Sequence, residues 1–336
     1  MRDASLALRL AWAALPALRP LVAHGFPDLN MLQWNPHWQC FAWNTNNCTA
    51  ESEAHLTSFL EDLDVDFADV IELGDPNYTL PDNFTQIGSL KTCGRDFLSL
   101  VYNHIRWEPV SEPAMLSKGC MQLVPPDRPF VIQEFSDTNT AERVIVIAAH
   151  FPHPMGFKDV SFRETLVLRD AVTSFLNQTS TRRVILIADT NEFATTSNAN
   201  IMWHIGVPTK TVVGTRLLPS CCFDNDFYSL TTFDRIIANF GEEMETRMLL
   251  DPLPEWAKDI DNETKRKAAF HKAIFGRLLM HSSGRAEAAR ARIRWIIVGV
   301  LALVAAGGAA LLSATLAGRR HPQSERLKEV SDTDSD

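Results

Sequence analysis

Positive charge is scarce in this chain: 32 lysines and arginines stand against 41 aspartates and glutamates, a formal net charge of −9. The deficit is deeper in the middle. The two ends, 1–25 and 285–336, hold 11 of the basic and 7 of the acidic residues, which leaves 21 against 34 in residues 26–284. Unassisted binding of long nucleic acids draws on basic contacts that release counterions, and such a surface suits it poorly. A protein that bridges phosphates through divalent cations is still allowed. CxxC pairs are absent too, which argues against a structural zinc site. Neither an internal repeat nor a low-complexity tract occurs before residue 296. With 46% hydrophobic and 22% charged residues the composition is globular,, and 336 residues accommodate one large domain or two ordinary ones,.

Both ends are set apart from the globular part. Residues 5–23 are rich in Ala and Leu, Arg2 precedes them, and Ala23-His24-Gly25 fits a small-x-small cleavage pattern. Residues 1–25 therefore read as a signal peptide, with an Arg-bearing transit peptide as the rival. Ile296 to Ala317 carries no charge and is long enough to span a bilayer. Trp295 suits the membrane interface, and Arg292, Arg294, Arg319 and Arg320 flank both sides,. The expected layout is a luminal domain over 26–284, a basic stalk over 285–294, a transmembrane helix over 295–317 and a cytoplasmic tail over 318–336. That makes a single-pass type I membrane protein of the secretory pathway or cell surface. Sequons at Asn47, Asn77, Asn83, Asn177 and Asn262 all lie between the two apolar ends,. So do all six cysteines, Cys40, Cys48, Cys93, Cys120, Cys221 and Cys222. An even count suggests disulfides, with Cys40–Cys48 and Cys93–Cys120 the preferred pairs among 15 pairings.

Strand-like runs recur at 29–34, 67–73, 97–102, 130–135, 144–149, 184–188 and 233–238,. Helical spacing appears over Ser52–Leu63, with Ser52 as a possible N-cap, and over Phe162–Leu176,. Alternating strands and helices, with consecutive strands around 97–149, predict an α/β domain with a mixed sheet.

Chemistry gathers at the strand ends. The buried-looking run Val184 to Ala188 stops on Asp189-Thr190-Asn191. Rims at the carboxyl ends of strands are where ligands bind in α/β sheets, whereas a plain Asx turn is the competing reading. Other strands lead to Asn35, to Glu72 or Asp75, to His150 and to Asp234, and His271 precedes a final apolar stretch. His37, His153 and His204 read as rim or surface residues, and Trp34, Trp38 and Trp43 as packing.

This ordered set resembles the endonuclease/exonuclease/phosphatase superfamily, which has the deoxyribonuclease I-like fold. The resemblance spans about residues 28–280. It rests on Asn35, Glu72, Ala149-His150-Phe151, Ala188-Asp189-Thr190-Asn191, Phe233-Asp234-Arg235-Ile236 and Phe270-His271. It implies a four-layer α/β sandwich of two packed mixed β-sheets flanked by helices. It also implies a metal-binding carboxylate at Glu72, or at Asp75 as the alternative. Two departures stand out: Ala188 replaces a Gly, and Phe270 replaces the Asp that usually precedes the last His.

The residue types suit phosphoester hydrolysis, which needs charge neutralisation, an activated water and a protonated leaving group. A hard Mg²⁺ (or Mn²⁺) would take Glu72, with Asn35 beside it. His271 with Asp234 would form a base and its orienting carboxylate. His150 would be an acid or a phosphate contact, and Asp189 and Asn191 would orient water and phosphate. The expected protein is a monomeric, membrane-anchored hydrolase. Its substrate would be a phospholipid headgroup, a small phosphoester or a nucleic acid. The alternative is a catalytically impaired binding or adhesion domain on the same scaffold, which Phe270 favours.

Overall fold

A computed structural model describes residues 26–36, 48–72, 78–93, 97–112, 116–123, 126–152, 160–221, 231–257 and 270–280. The chain divides into two compact units, Phe26–His281, and Met1–Gly25 together with Ser282–Asp336. All of the second unit lies outside the described residues, and with it the expected signal peptide, stalk, membrane helix and tail. Asp75, Cys40, Cys222 and the sequons at Asn47, Asn77 and Asn262 lie outside as well. Among the described residues, no helix is long and apolar enough to cross a membrane.

Two mixed sheets pack face to face. The first holds β1 (Leu29–Trp34), β2 (Phe67–Val70), β3 (Phe84–Gly88), β4 (Ser99–Asn103), β12 (Glu243–Met248) and β13 (Ile274–Leu279), in the order β12-β13-β1-β2-β4-β3. The second runs β10 (Val213–Gly214), β11 (Asp234–Ala238), β9 (Val184–Asp189), β8 (Arg143–His150), β7 (Pro126–Asp137) and β5 (Trp107–Pro109). Its seventh strand, β6 (Ser117–Leu123), pairs with β7. Each sheet has one parallel pair, β1–β2 and β8–β9. Parallel neighbours need a crossover, and helices α1 (Cys48–Asp62) and α2 (Val160–Gln178) lie in those two connections.

Burial explains why these segments become strands. Leu29 and Met31 of β1 enter the layer between the sheets, with Ile185 and Ile187 of β9 and Ile236 of β11. Leu32 and Trp34 turn to the other face, where Leu56 and Leu60 of α1 cover them. Val184, Leu186 and Ala188 of β9 meet Leu168, Val172 and Phe175 of α2. Helix, sheet, sheet and helix thus form four layers, as expected. With both faces covered, β9 is buried along its whole length,.

One boundary differs from the sequence reading. Helix α1 starts at Cys48, and Ser52 lies inside it rather than capping it. Cys48, Ser52, Leu56 and Leu60 recur every four residues and form the buried stripe, so the small hydroxyl belongs to the packed face. A short third helix, α3 (Asn198–His204), was not anticipated. Ser197 caps it, its side chain accepting from the Asn200 N–H at 3.2 Å. The Cys93–Cys120 disulfide is present as expected. Cys48 and Cys221 each take part in a disulfide as well.

Candidate active site

The register aligns the chemistry. His150 ends β8, Asp189 ends β9 and Asp234 opens β11; the three are successive cross-strand partners. Cross-strand partners share a face, and the strand mates Val146, Ala148, Ile187 and Ile236 place that face toward the opposite sheet. There Asn35 follows β1, and the His271 N–H donates to the Asn35 carbonyl at 3.3 Å.

Asp189 is the hub, and its two oxygens divide the work. Oδ1 accepts the Asn191 N–H at 3.0 Å, which is an Asx turn,. Oδ2 accepts from Asn35 Nδ2 at 3.2 Å and lies 3.6 Å from both His150 Nε2 and His271 Nδ1. The strand end thus makes the Asx turn with Oδ1 and leaves Oδ2 facing Asn35 and both imidazoles. His271 Nδ1 lies 2.8 Å from Asp234 Oδ2. Asp234 in turn has its backbone N–H on Ser220 Oγ at 3.2 Å, and the His271 carbonyl accepts from Trp34 Nε1 at 3.2 Å. All five of Asn35, His150, Asp189, Asp234 and His271 are buried.

Asn191 and Glu72 complete the set from strained backbone. Asn191 (φ +49°) donates Nδ2 to the Phe151 carbonyl at 2.8 Å, and its buried Oδ1 has no hydrogen-bond partner among the described residues. Glu72 (φ +57°) follows β2, half-buried, and its charge acts on His271. Left-handed backbone in non-glycine residues is uncommon and gathers at functional sites.

Electrostatics single out the His271–Asp234 pair. Burial works against a charged imidazole, but the carboxylates of Asp234 and Asp189, the hydrogen bond that Asp234 accepts from the ring and the charge of Glu72 outweigh it. They push His271 up to about 9. Burial likewise pushes the Asp234 carboxyl up, and Asp189 adds to this while His271 opposes it.

Two features escaped the sequence reading. The Arg128 guanidinium contacts the His150 ring, Nη1 lying 3.0 Å from Nδ1. Arg128 stands before Pro129 in β7 and outside any regular pattern, so only its being a cation just ahead of the apolar run that begins at Phe130 could have marked it. Arg235 is buried beside Asp234 and donates to the carbonyls of Thr232, Thr196, Glu192 and Phe193 at 2.6–2.9 Å. It pins the loop that follows Asn191. Phe270, the departure that favoured a non-catalytic domain, packs in the helix-side layer edge-on to Trp256 at 5.1 Å. Its side chain belongs to the core.

The donor set fits a hard divalent cation. Asn35 and Glu72 bring oxygen donors to the ends of adjacent parallel strands, and Asn191 Oδ1 and Asp234 Oδ1 are buried oxygens without hydrogen-bond partners among the described residues. Mg²⁺ takes such oxygens together with waters. Ligand atoms of Asp189, Asp234 and His271 also lie within 4.8 Å of one another. There, however, the His271 nitrogen is already engaged by Asp234, so that trio is better suited to moving a proton.

Together, the paired sheets and the rim they share define an endonuclease/exonuclease/phosphatase fold. The solved structures it resembles include an endonuclease/exonuclease/phosphatase family protein of Bacteroides thetaiotaomicron (TM-score 0.53, 13% identity, 76% of this chain and 96% of that one). A mannosyl-6-phosphatase of the same species matches at TM-score 0.52 and 13% identity, over 75% of this chain and 100% of that one. TDP2 from Caenorhabditis elegans matches at 0.55 and 13%, over 82% and 81%. No protein-family model and no curated protein matches the sequence.

Proposed function

We propose that this protein is a Mg²⁺-dependent phosphoester hydrolase whose site is the rim of strand ends that carries Asn35, Glu72, His150, Asp189, Asn191, Asp234 and His271. The observation that carries this reading is the 2.8 Å contact between His271 Nδ1 and Asp234 Oδ2, with Asp189 Oδ2 3.6 Å from the same nitrogen. A carboxylate on Nδ1 fixes the ring and its tautomer and holds it as an imidazolium up to about pH 9, so near neutral pH Nε2 presents a proton to the phosphate or the leaving oxygen, and it takes one from water only as pH rises toward that value. Asp189 and Asn191 orient that water and the phosphate. Arg128 and His150 face the phosphate with a cation and a ring nitrogen; a guanidinium matches phosphate oxygens as a planar fork. Asn35 and Glu72 would hold Mg²⁺, which when bound neutralises charge on the phosphate.

The acidic surface favours a lipid headgroup or small phosphoester over long DNA. The mannosyl-6-phosphatase among the similar structures is consistent with a small phosphoester. We further propose that the protein enters the secretory pathway, carries N-glycans, is anchored by residues 295–317 and acts as a monomer. The Cys93–Cys120 disulfide suits an oxidising compartment,, and Asn83 and Asn177 are exposed. The test is turnover, with and without Mg²⁺, of a panel of DNA, sphingomyelin, phosphoinositide and aryl phosphoester. Metal-dependent release of product from at least one supports the reading, and a folded protein inert on all of them overturns it.

A further inference from the structure

Arg128 reaches the site by an irregular route. On β7, Phe130 and Ile132 face the helical layer while Val131 and Phe135 face the layer between the sheets. Strict alternation would send position 128 to the helical side with Phe130. Its φ of +61° breaks that alternation. The guanidinium instead meets His150, whose strand mates Val146 and Ala148 face the central layer. A left-handed arginine persists only where its surroundings over-determine it.

The covalent restraint is next door. β6 pairs with β7 so that Cys120 stands opposite Pro129, the residue after Arg128. Cys120 is bonded to Cys93, which is fully buried in the connection leaving β3 of the opposite sheet. The bridge thus ties the two sheets together at the level of His150, since Phe130 pairs with Ala149. Packing repeats the constraint: a Cβ on Gly119 would meet the Phe130 ring at 2.5 Å.

We propose that the Cys93–Cys120 bridge is a positioning element for Arg128, holding the β6–β7 hairpin in the geometry that presents the guanidinium to a phosphate beside His150. This rests on the phosphoester reading above. The experiment compares wild type, C93A/C120A, R128A and the combined variant, using calorimetric titration with inorganic phosphate and steady-state kinetics on the best substrate of the panel. C93A/C120A is expected to weaken phosphate binding and raise KM about tenfold while kcat stays within about twofold. In the R128A background, removing the bridge is expected to add nothing, because its effect passes through that side chain. Unchanged phosphate affinity in C93A/C120A, or losses that simply add to those of R128A, overturns the proposal. Should C93A/C120A fail to fold, G119A displaces the same hairpin without touching a cysteine, and the same non-additivity with R128A is expected. If wild type binds phosphate but turns nothing over, the hydrolase reading falls, and the affinity comparison still decides the role of the bridge.

Discussion

His271 and Asp234 meet across the two sheets of the sandwich, Nδ1 to Oδ2, at 2.8 Å, although 37 residues separate them in sequence. Neither side chain is on a flexible arm. Asp234 opens a buried strand whose register with β9 is fixed, and His271 is held at both its N–H and its carbonyl.

D234N keeps the shape of the pair and removes its charge. The amide no longer stabilises an imidazolium or holds the useful tautomer. We expect kcat to fall about 10²–10⁴-fold with a much smaller change in KM, read from steady-state rates on an aryl phosphoester.

The same pair makes stability depend on pH. His271 titrates at about 9 in the fold, against about 6.5 in an unfolded chain. A raised pKa stabilises the fold fully below about 6.5, and the contribution is lost as pH rises through about 9. In chelator, the Tm gap between wild type and H271Q should therefore be widest near pH 6 and close toward pH 10. A gap that widens with pH would contradict the assignment.

Arg235 should behave as a structural clamp. R235M fills similar volume but leaves the buried carbonyls of Glu192 and Thr232, and the part-buried ones of Phe193 and Thr196, without their donor. Each unsatisfied buried acceptor costs about 1–3 kcal/mol. Urea unfolding should show a loss of about 3 kcal/mol or more. Because the clamp fixes the loop after Asn191, kcat should fall as well.

Placing at position 270 the carboxylate that the resemblance would put there should harm rather than help. F270D would lose the packing against Trp256 and bury an unpaired charge. Removal of a buried Phe alone costs about 3–5 kcal/mol, and the charge adds to it. We expect a strongly destabilised protein with no gain in turnover, measured by thermal melting and the same phosphoester assay.

Much of this site was legible because β8 and β9 are covered on both faces. Their apolar runs end abruptly on His150 and Asp189, and an abrupt end marks a rim. Asp234 and His271 became readable only through their order along the chain, since neither terminates a run. Arg128 was not legible: its place depends on a left-handed φ inside a hairpin that no periodicity announces. The weaker strands escaped for a related reason. β12 alternates buried Met244 and Thr246 with exposed charges over only six residues, and β6 carries Gly119 in its middle. Ser52 misled because a hydroxyl on a buried helix stripe looks, in sequence, like a cap. Phe270 stands where the resemblance would put an Asp, and its ring packs in the helix-side layer.

The central claim, that these side chains form a metal-dependent phosphoester-hydrolysing site, is tested most directly by one comparison. The rate of aryl phosphodiester hydrolysis by the full chain is measured with Mg²⁺ and with chelator, for wild type and for H271A. The account predicts turnover that needs the metal and falls by at least about 10²-fold in H271A. Turnover that survives H271A unchanged, or a folded wild-type protein with none, would contradict it.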